Sequence, residues 1–130
     1  MKRAILFTIA LAACSGTTEP PAVDLSLAVH IPTPAIYVQW WSEVEACSGL
    51  KGDASAVAFY QAPGYDFVIN GSSYWGFWTA KDNKIVLADA HMADKKLVWH
   101  EEMHALLKRS DHPPEYFKGA CGDLTYPGGE

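Results

Sequence analysis

The sequence predicts an α+β domain, and three observations carry that reading. Two segments, at 33–49 and 94–109, combine helix punctuation with apolar residues at helical spacing. Between them lie short runs rich in aromatic and β-branched residues, broken by Pro, Gly, Asp and Asn, which read with one earlier strand as a mixed sheet of about four to five strands. Setting aside the first two dozen residues leaves about 105, enough for one modest core.

The chain opens with Met1-Lys2-Arg3, a basic start, followed by the apolar run AILFTIALAA, too short to span a bilayer as a folded helix. Small residues then precede a cysteine at Leu11-Ala12-Ala13-Cys14. This arrangement resembles the lipobox of bacterial lipoproteins. The resemblance implies cleavage before Cys14, a lipid on its sulfur and a place in the bacterial cell envelope. Ser15 stands where Asp would mark retention at the inner membrane, which favours the outer membrane in a Gram-negative cell. SGTTEPPAVD, 15–24, is polar and contains Pro, and reads as a tether. The expected organisation is a signal peptide at 1–13, a lipidated cysteine and tether at 14–24, and one domain at 25–130.

Removing Lys2 and Arg3 takes the formal net charge from −5 to −7. A chain this acidic has no basic patch to meet phosphates, so nucleic acid is excluded as a partner. No second apolar run is long enough to cross a membrane. Nothing in the composition calls for a partner subunit, and a monomer is expected.

LSLAVHI alternates, with Leu25, Leu27, Val29 and Ile31 on one side, and suits a first strand. In TPAIYVQWWSEVEACSG, Thr33 can cap a helix, Pro34 suits its first turn and Gly49 can close it. Ile36, Trp40, Val44 and Cys47 then fall on one face. SAVAFYQA and YDFVI, separated by Pro63-Gly64, read as strands, as do SYWGFWTA and KIVLAD around a turn at Lys81-Asp82-Asn83. Asp94 can cap the last helix, which should run to about Arg109. The tail from Ser110, rich in Pro and Gly, reads as irregular. Besides Cys14 the chain has Cys47 and Cys121, and in an exported protein two such cysteines predict one disulfide. Neither lies in a zinc-binding Cys spacing.

The chemistry concentrates in HEEMH, 100–104. On a helix, His100 and His104 are one turn apart and project from one face, so both imidazoles can grip one zinc ion. Glu101 is not needed as a ligand. It can hold the water that zinc acidifies and accept its proton during attack on a carbonyl. Read blandly, His100 and His104 are surface histidines, and Glu101 and Glu102 a charged face.

HExxH within a helix resembles the zincin metallopeptidases, and the order strand, helix, sheet, motif helix is similar to their amino-terminal subdomain. The resemblance spans roughly Leu25 to Phe117 and implies a small zincin-like domain, Zn2+ as cofactor and a peptide or protein substrate. The chain departs from the metzincin branch of these enzymes. Leu107 and Ser110 occupy the positions of that branch's Gly and third His, and no Met follows for its Met-turn. The gluzincin branch takes Glu from a later helix, for which Glu115 is close and Glu130 is terminal.

The sequence offers its own third ligand in SDHPPEYF, although read blandly His112 is a loop histidine. Pro113 biases His112 to an extended backbone, so the helix has ended before it, and a His in that turn can swing to the metal. His112 is favoured, with Asp111 next and Glu115 third. Tyr116 and Tyr126 can donate to an oxyanion, Tyr116 being nearer in sequence. His30 and His91 read as ordinary surface or core histidines. Trp75, Phe77 and Trp78 read as core, or as part of a sheet edge on which extended peptide is bound.

The expected function is zinc-dependent hydrolysis of peptide bonds at the cell envelope, with Glu101 as general base and His100, His104 and His112 as ligands. The alternative is a non-catalytic zincin-like lipoprotein that binds metal or a partner protein. Glu101 discriminates between them, since zinc binding alone does not require it. A zinc-carrying envelope protein is a third reading, disfavoured by the scarcity of further His or acidic clusters.

Overall fold

The structure is a computed structural model that describes residues 26–126. The expected signal peptide, Cys14 and tether lie outside the described residues, as does Glu130. The elements run β1 (Val29–Ile31), α1 (Ala35–Ser48), β2 (Ala58–Ala62), β3 (Phe67–Ile69), β4 (Ser72–Tyr74), β5 (Gly76–Thr79), β6 (Lys84–Ala88), α2 (Lys95–Leu107) and α3 (Pro114–Phe117). The class is α+β, as expected. The main sheet has the order β1-β2-β6-β5, and β3 pairs with β4 in a separate ribbon. β2 and β6 are parallel, with Phe59 opposite Ile85, while β1 and β5 are antiparallel to their neighbours.

β6 is the central element. Its run Ile85, Val86, Leu87 and Ala88 is wholly buried, as expected of a strand covered on both faces. On one side α1 and α2 close over the sheet, packing Tyr37, Trp41, Leu97 and Val98 on Phe59, Trp78 and Ile85. Full burial of each such side chain contributes about 1.5–3 kcal/mol. A second cluster, Val44, Met103, Phe117 and Leu124, lies between α1, α2 and the tail. The Cys47–Cys121 disulfide ties the end of α1 to that tail across 74 residues, with a Cα–Cα distance of 5.1 Å.

The first helix differs from expectation in two ways. Its buried stripe is Tyr37, Trp41 and Val44, and Ile36 is exposed. The helix is rotated so that two large aromatic rings enter the core, which buries more area than Ile36 would. The Tyr37 hydroxyl also donates to the Met92 carbonyl at 2.5 Å, anchoring that face. Thr33 does not cap. Pro34 holds the N-cap in extended geometry with no side-chain bond, so the helix starts one residue later. Gly49 closes it at φ 75°, its N–H donating to the Glu45 carbonyl, a left-handed position that favours glycine.

The first strand is shorter than its alternation suggested. Of the described members of that alternation, Leu27 and Val29 are exposed and Ile31 turns partly inward. β1 is a three-residue strand at the sheet edge, so its apolar face gains little cover. The tail is not wholly irregular either. Pro114 opens the short helix α3, because its fixed φ is already that of a first helical turn. The expected cap at Asp94 forms, its carboxylate accepting from the Leu97 N–H at 3.2 Å.

Candidate metal centre

α2 is buried on nearly every side. His100, Glu101, Glu102, Met103 and His104 are all at most 3% exposed. Polar groups at such depth require partners or a bound ion. The chain supplies partners from beyond the helix. His100 Nδ1 lies 2.8 Å from the Leu124 carbonyl, and His104 Nδ1 lies 2.7 Å from the Arg109 carbonyl. A carbonyl only accepts, so each Nδ1 carries the proton and each neutral ring has an unprotonated Nε2.

Those Nε2 atoms converge with a third. His104 Nε2 lies 3.1 Å from His100 Nε2 and 3.1 Å from His112 Nε2, and His112 lies 3.3 Å from His100. Ring nitrogens this close are joined either by a shared N–H or by a cation held among them. A tetrahedral ion with bonds of about 2.0–2.1 Å sets its ligand atoms about 3.3 Å apart. The triangle has nearly that edge. The His100, His104 and His112 group could hold a metal ion.

Local structure explains how His112 arrives. α2 ends at Leu107, and Lys108 takes φ 57° as its C-cap. This left-handed residue turns the chain sharply, so the next carbonyl, that of Arg109, returns to His104. A non-Gly residue there is strained by about 1 kcal/mol, a cost tolerated where surrounding structure fixes the turn. Pro113 and α3 then lead into Phe117. Its wholly buried ring packs on all three imidazoles, at centroid distances of 5.0, 4.8 and 4.6 Å to His100, His104 and His112. Trp78 lies parallel to the His104 ring at 6.3 Å. Apolar walls of this kind limit water and rotation of the imidazoles.

The other candidates are placed elsewhere. Asp111 is exposed and makes a bidentate pair with Arg109, at 2.8 and 2.6 Å, whose hydrogen bonds hold its carboxyl below the usual range. Glu115 is exposed on α3. Glu101 is 2% exposed, beside His100 on the same helix. Tyr126, not Tyr116, neighbours the triad, its ring 5.8 Å from that of His100. Tyr116 packs at the second cluster, its position nearer in sequence notwithstanding. His30 is exposed, and His91 is half-buried, stacked on Trp75 at 4.5 Å.

Sequence reasoning missed four features of the centre. The carbonyls of Leu124 and Arg109 leave no trace in residue identity. Phe117 could have been found from Pro113-Pro114, which signals a helix start that aims a following aromatic ring. Glu102, which only the bland reading set on a charged face, is wholly buried. Compared with protein families, curated proteins and solved structures, the chain matches none.

Proposed function

We propose that the chain is a zinc metallopeptidase, and the observation that carries the proposal is the Nε2 triangle of His100, His104 and His112, the first two on the helix that also buries Glu101. Three imidazoles in a tetrahedral half-shell suit zinc, whose catalytic sites take three protein ligands and keep one position open. When bound, zinc supplies Lewis acidity and a water acidified toward neutrality.

The chain's residues carry the remaining roles. His100, His104 and His112 would hold the ion through Nε2, and the Leu124 and Arg109 carbonyls orient the first two rings through Nδ1. Glu101 accepts the proton of the attacking water at its carboxylate and returns it to the leaving amine. β5 is an edge of the main sheet among the described residues, and an extended peptide can be added to such an edge. Tyr126, whose ring neighbours that of His100 at 5.8 Å, is the tyrosine we assign to the developing oxyanion. The lipobox-like start, outside the described residues, assigns this activity to the surface of a bacterial envelope membrane.

Glu101→Gln tests the reading. Gln keeps the size and a polar oxygen but cannot take the proton. Zinc content of the purified protein should match that of the unsubstituted chain, while hydrolysis of a broad peptide library should fall by about 100-fold or more. A zinc-loaded protein with no hydrolysis, whether or not Glu101 is replaced, would instead establish a metal-binding module.

A further inference from the structure

Gly76 opens β5, and its position over α2 is unusually close. A methyl group built there would lie 2.7 Å from Glu101 Oε1, 3.1 Å from Glu101 Cγ and 3.1 Å from Leu97 Cδ1. The first distance is well inside van der Waals contact. Gly76 is itself buried, and its φ is not among the positive values found at Asn70, Asn83, Lys108 and four other glycines. Backbone conformation therefore does not require glycine at 76. Space does.

The neighbouring register shows what that space serves. Gly76 and Trp78 are two residues apart on one strand and share a face. Gly76 meets Glu101, and Trp78 lies along the ring of His104. One strand face thus carries a gap over the carboxylate and a large wall over a metal ligand. The alternation is not a packing default, since a buried strand normally fills such positions with β-branched or aromatic residues. Glycine within a strand weakens it by about 0.5–1 kcal/mol relative to Ala, and here that cost is matched to the carboxylate beneath it.

We propose that Gly76 is a positioning residue. The bare backbone at this point admits the Glu101 carboxylate under the edge of β5 and fixes where it sits relative to the histidine triad. The inference rests on the peptidase reading for its consequence in catalysis, but the placement itself is independent of it. The tightest contact is with the far end of a flexible side chain. An added methyl is therefore relieved chiefly by moving the carboxylate, with Glu101 Cγ and Leu97 Cδ1, each at 3.1 Å, giving by a few tenths of an ångström.

The test uses the full chain carrying Gly76→Ala, Glu101→Asp and both changes together. Zinc content, thermal midpoint, crystal structures of the zinc-loaded proteins, and kcat and KM on a library of quenched peptides are measured. Gly76→Ala should keep parental zinc content and midpoint, and its structure should show the Glu101 carboxylate displaced with the triad unmoved. kcat should fall by about 100-fold, the scale of an ångström's misplacement, with KM little changed. In the Glu101→Asp background the shorter side chain vacates the space, so adding Gly76→Ala should cost little further.

An undisplaced carboxylate or an unchanged kcat in Gly76→Ala would overturn the proposal. So would a Gly76→Ala protein that fails to fold and is not rescued by Glu101→Asp, because the clash would then lie elsewhere. If the unsubstituted chain hydrolyses none of the peptides, the peptidase reading fails by itself, and displacement of the carboxylate still decides whether Gly76 positions it.

Discussion

His112 and Asp111 are adjacent, and their surroundings separate them. His112 Nε2 lies 3.1 Å from His104 Nε2, while Asp111 is paired to Arg109 in solvent. His112→Ala should weaken zinc affinity severely in a competition titration, whereas Asp111→Ala should change it by no more than about tenfold. Metal loss in the Asp111 variant alone would reverse the assignment. Glu102 makes a different demand at the same scale. Neither of its oxygens has a hydrogen-bond partner among the described residues, and burial, aided by the charge of Glu43, pushes its pKa from 4.5 to about 9. The folded state thus keeps a proton that the unfolded state releases from about pH 4.5 upward. Stability contributed by this group falls as pH rises between those two values. Glu102→Met should therefore stabilise the metal-free protein by about 2 kcal/mol at pH 7, and by less at pH 5. Denaturant melts across pH would check this, and a gain that shrinks with rising pH would contradict it.

Elements hold the centre through its distant contacts. The second ring-fixing carbonyl belongs to Leu124, three residues beyond Cys121 in the tail. The disulfide joins that tail to α1, and Leu124 itself is buried against Val44 and Phe117. Reducing the bond should cost about 2–4 kcal/mol in unfolding free energy, measured by denaturant titration. It should also weaken zinc binding, because His100 loses its fixed tautomer when the tail detaches. Equal zinc affinity in the oxidised and reduced protein would show that the tail docks without the bond. The α2 cap offers a milder perturbation. Asp94→Ala should cost about 1 kcal/mol in the same titration.

At the largest scale, the described residues combine a four-stranded sheet, a two-stranded ribbon, two covering helices and a tail that carries the short helix α3 against the motif helix. Attachment to a membrane is the expectation that belongs to this scale, and it rests on Cys14. Cys14→Ser should move the protein out of the membrane fraction or block its processing. Unchanged retention with normal processing would remove the lipid anchor.

Much of this was legible in residue order. HEEMH is local, since i and i+4 on one helix share a face whatever surrounds them. The Asp94 cap and the Gly49 stop are likewise set within a few residues by backbone sterics and hydrogen-bonding capacity. The ring orientations of His100 and His104, the floor supplied by Phe117, the burial of Glu102 and the gap at Gly76 were decided by tertiary structure. Each depends on a contact between segments distant in sequence, or on which side of an element faces the core. The Tyr37 stripe of α1 is the clearest case: helical spacing allowed more than one face, and the larger area buried by aromatic rings against Phe59 and Met92 selected among them. Short-range periodicity restricts the faces an element can offer, and only packing in three dimensions chooses one.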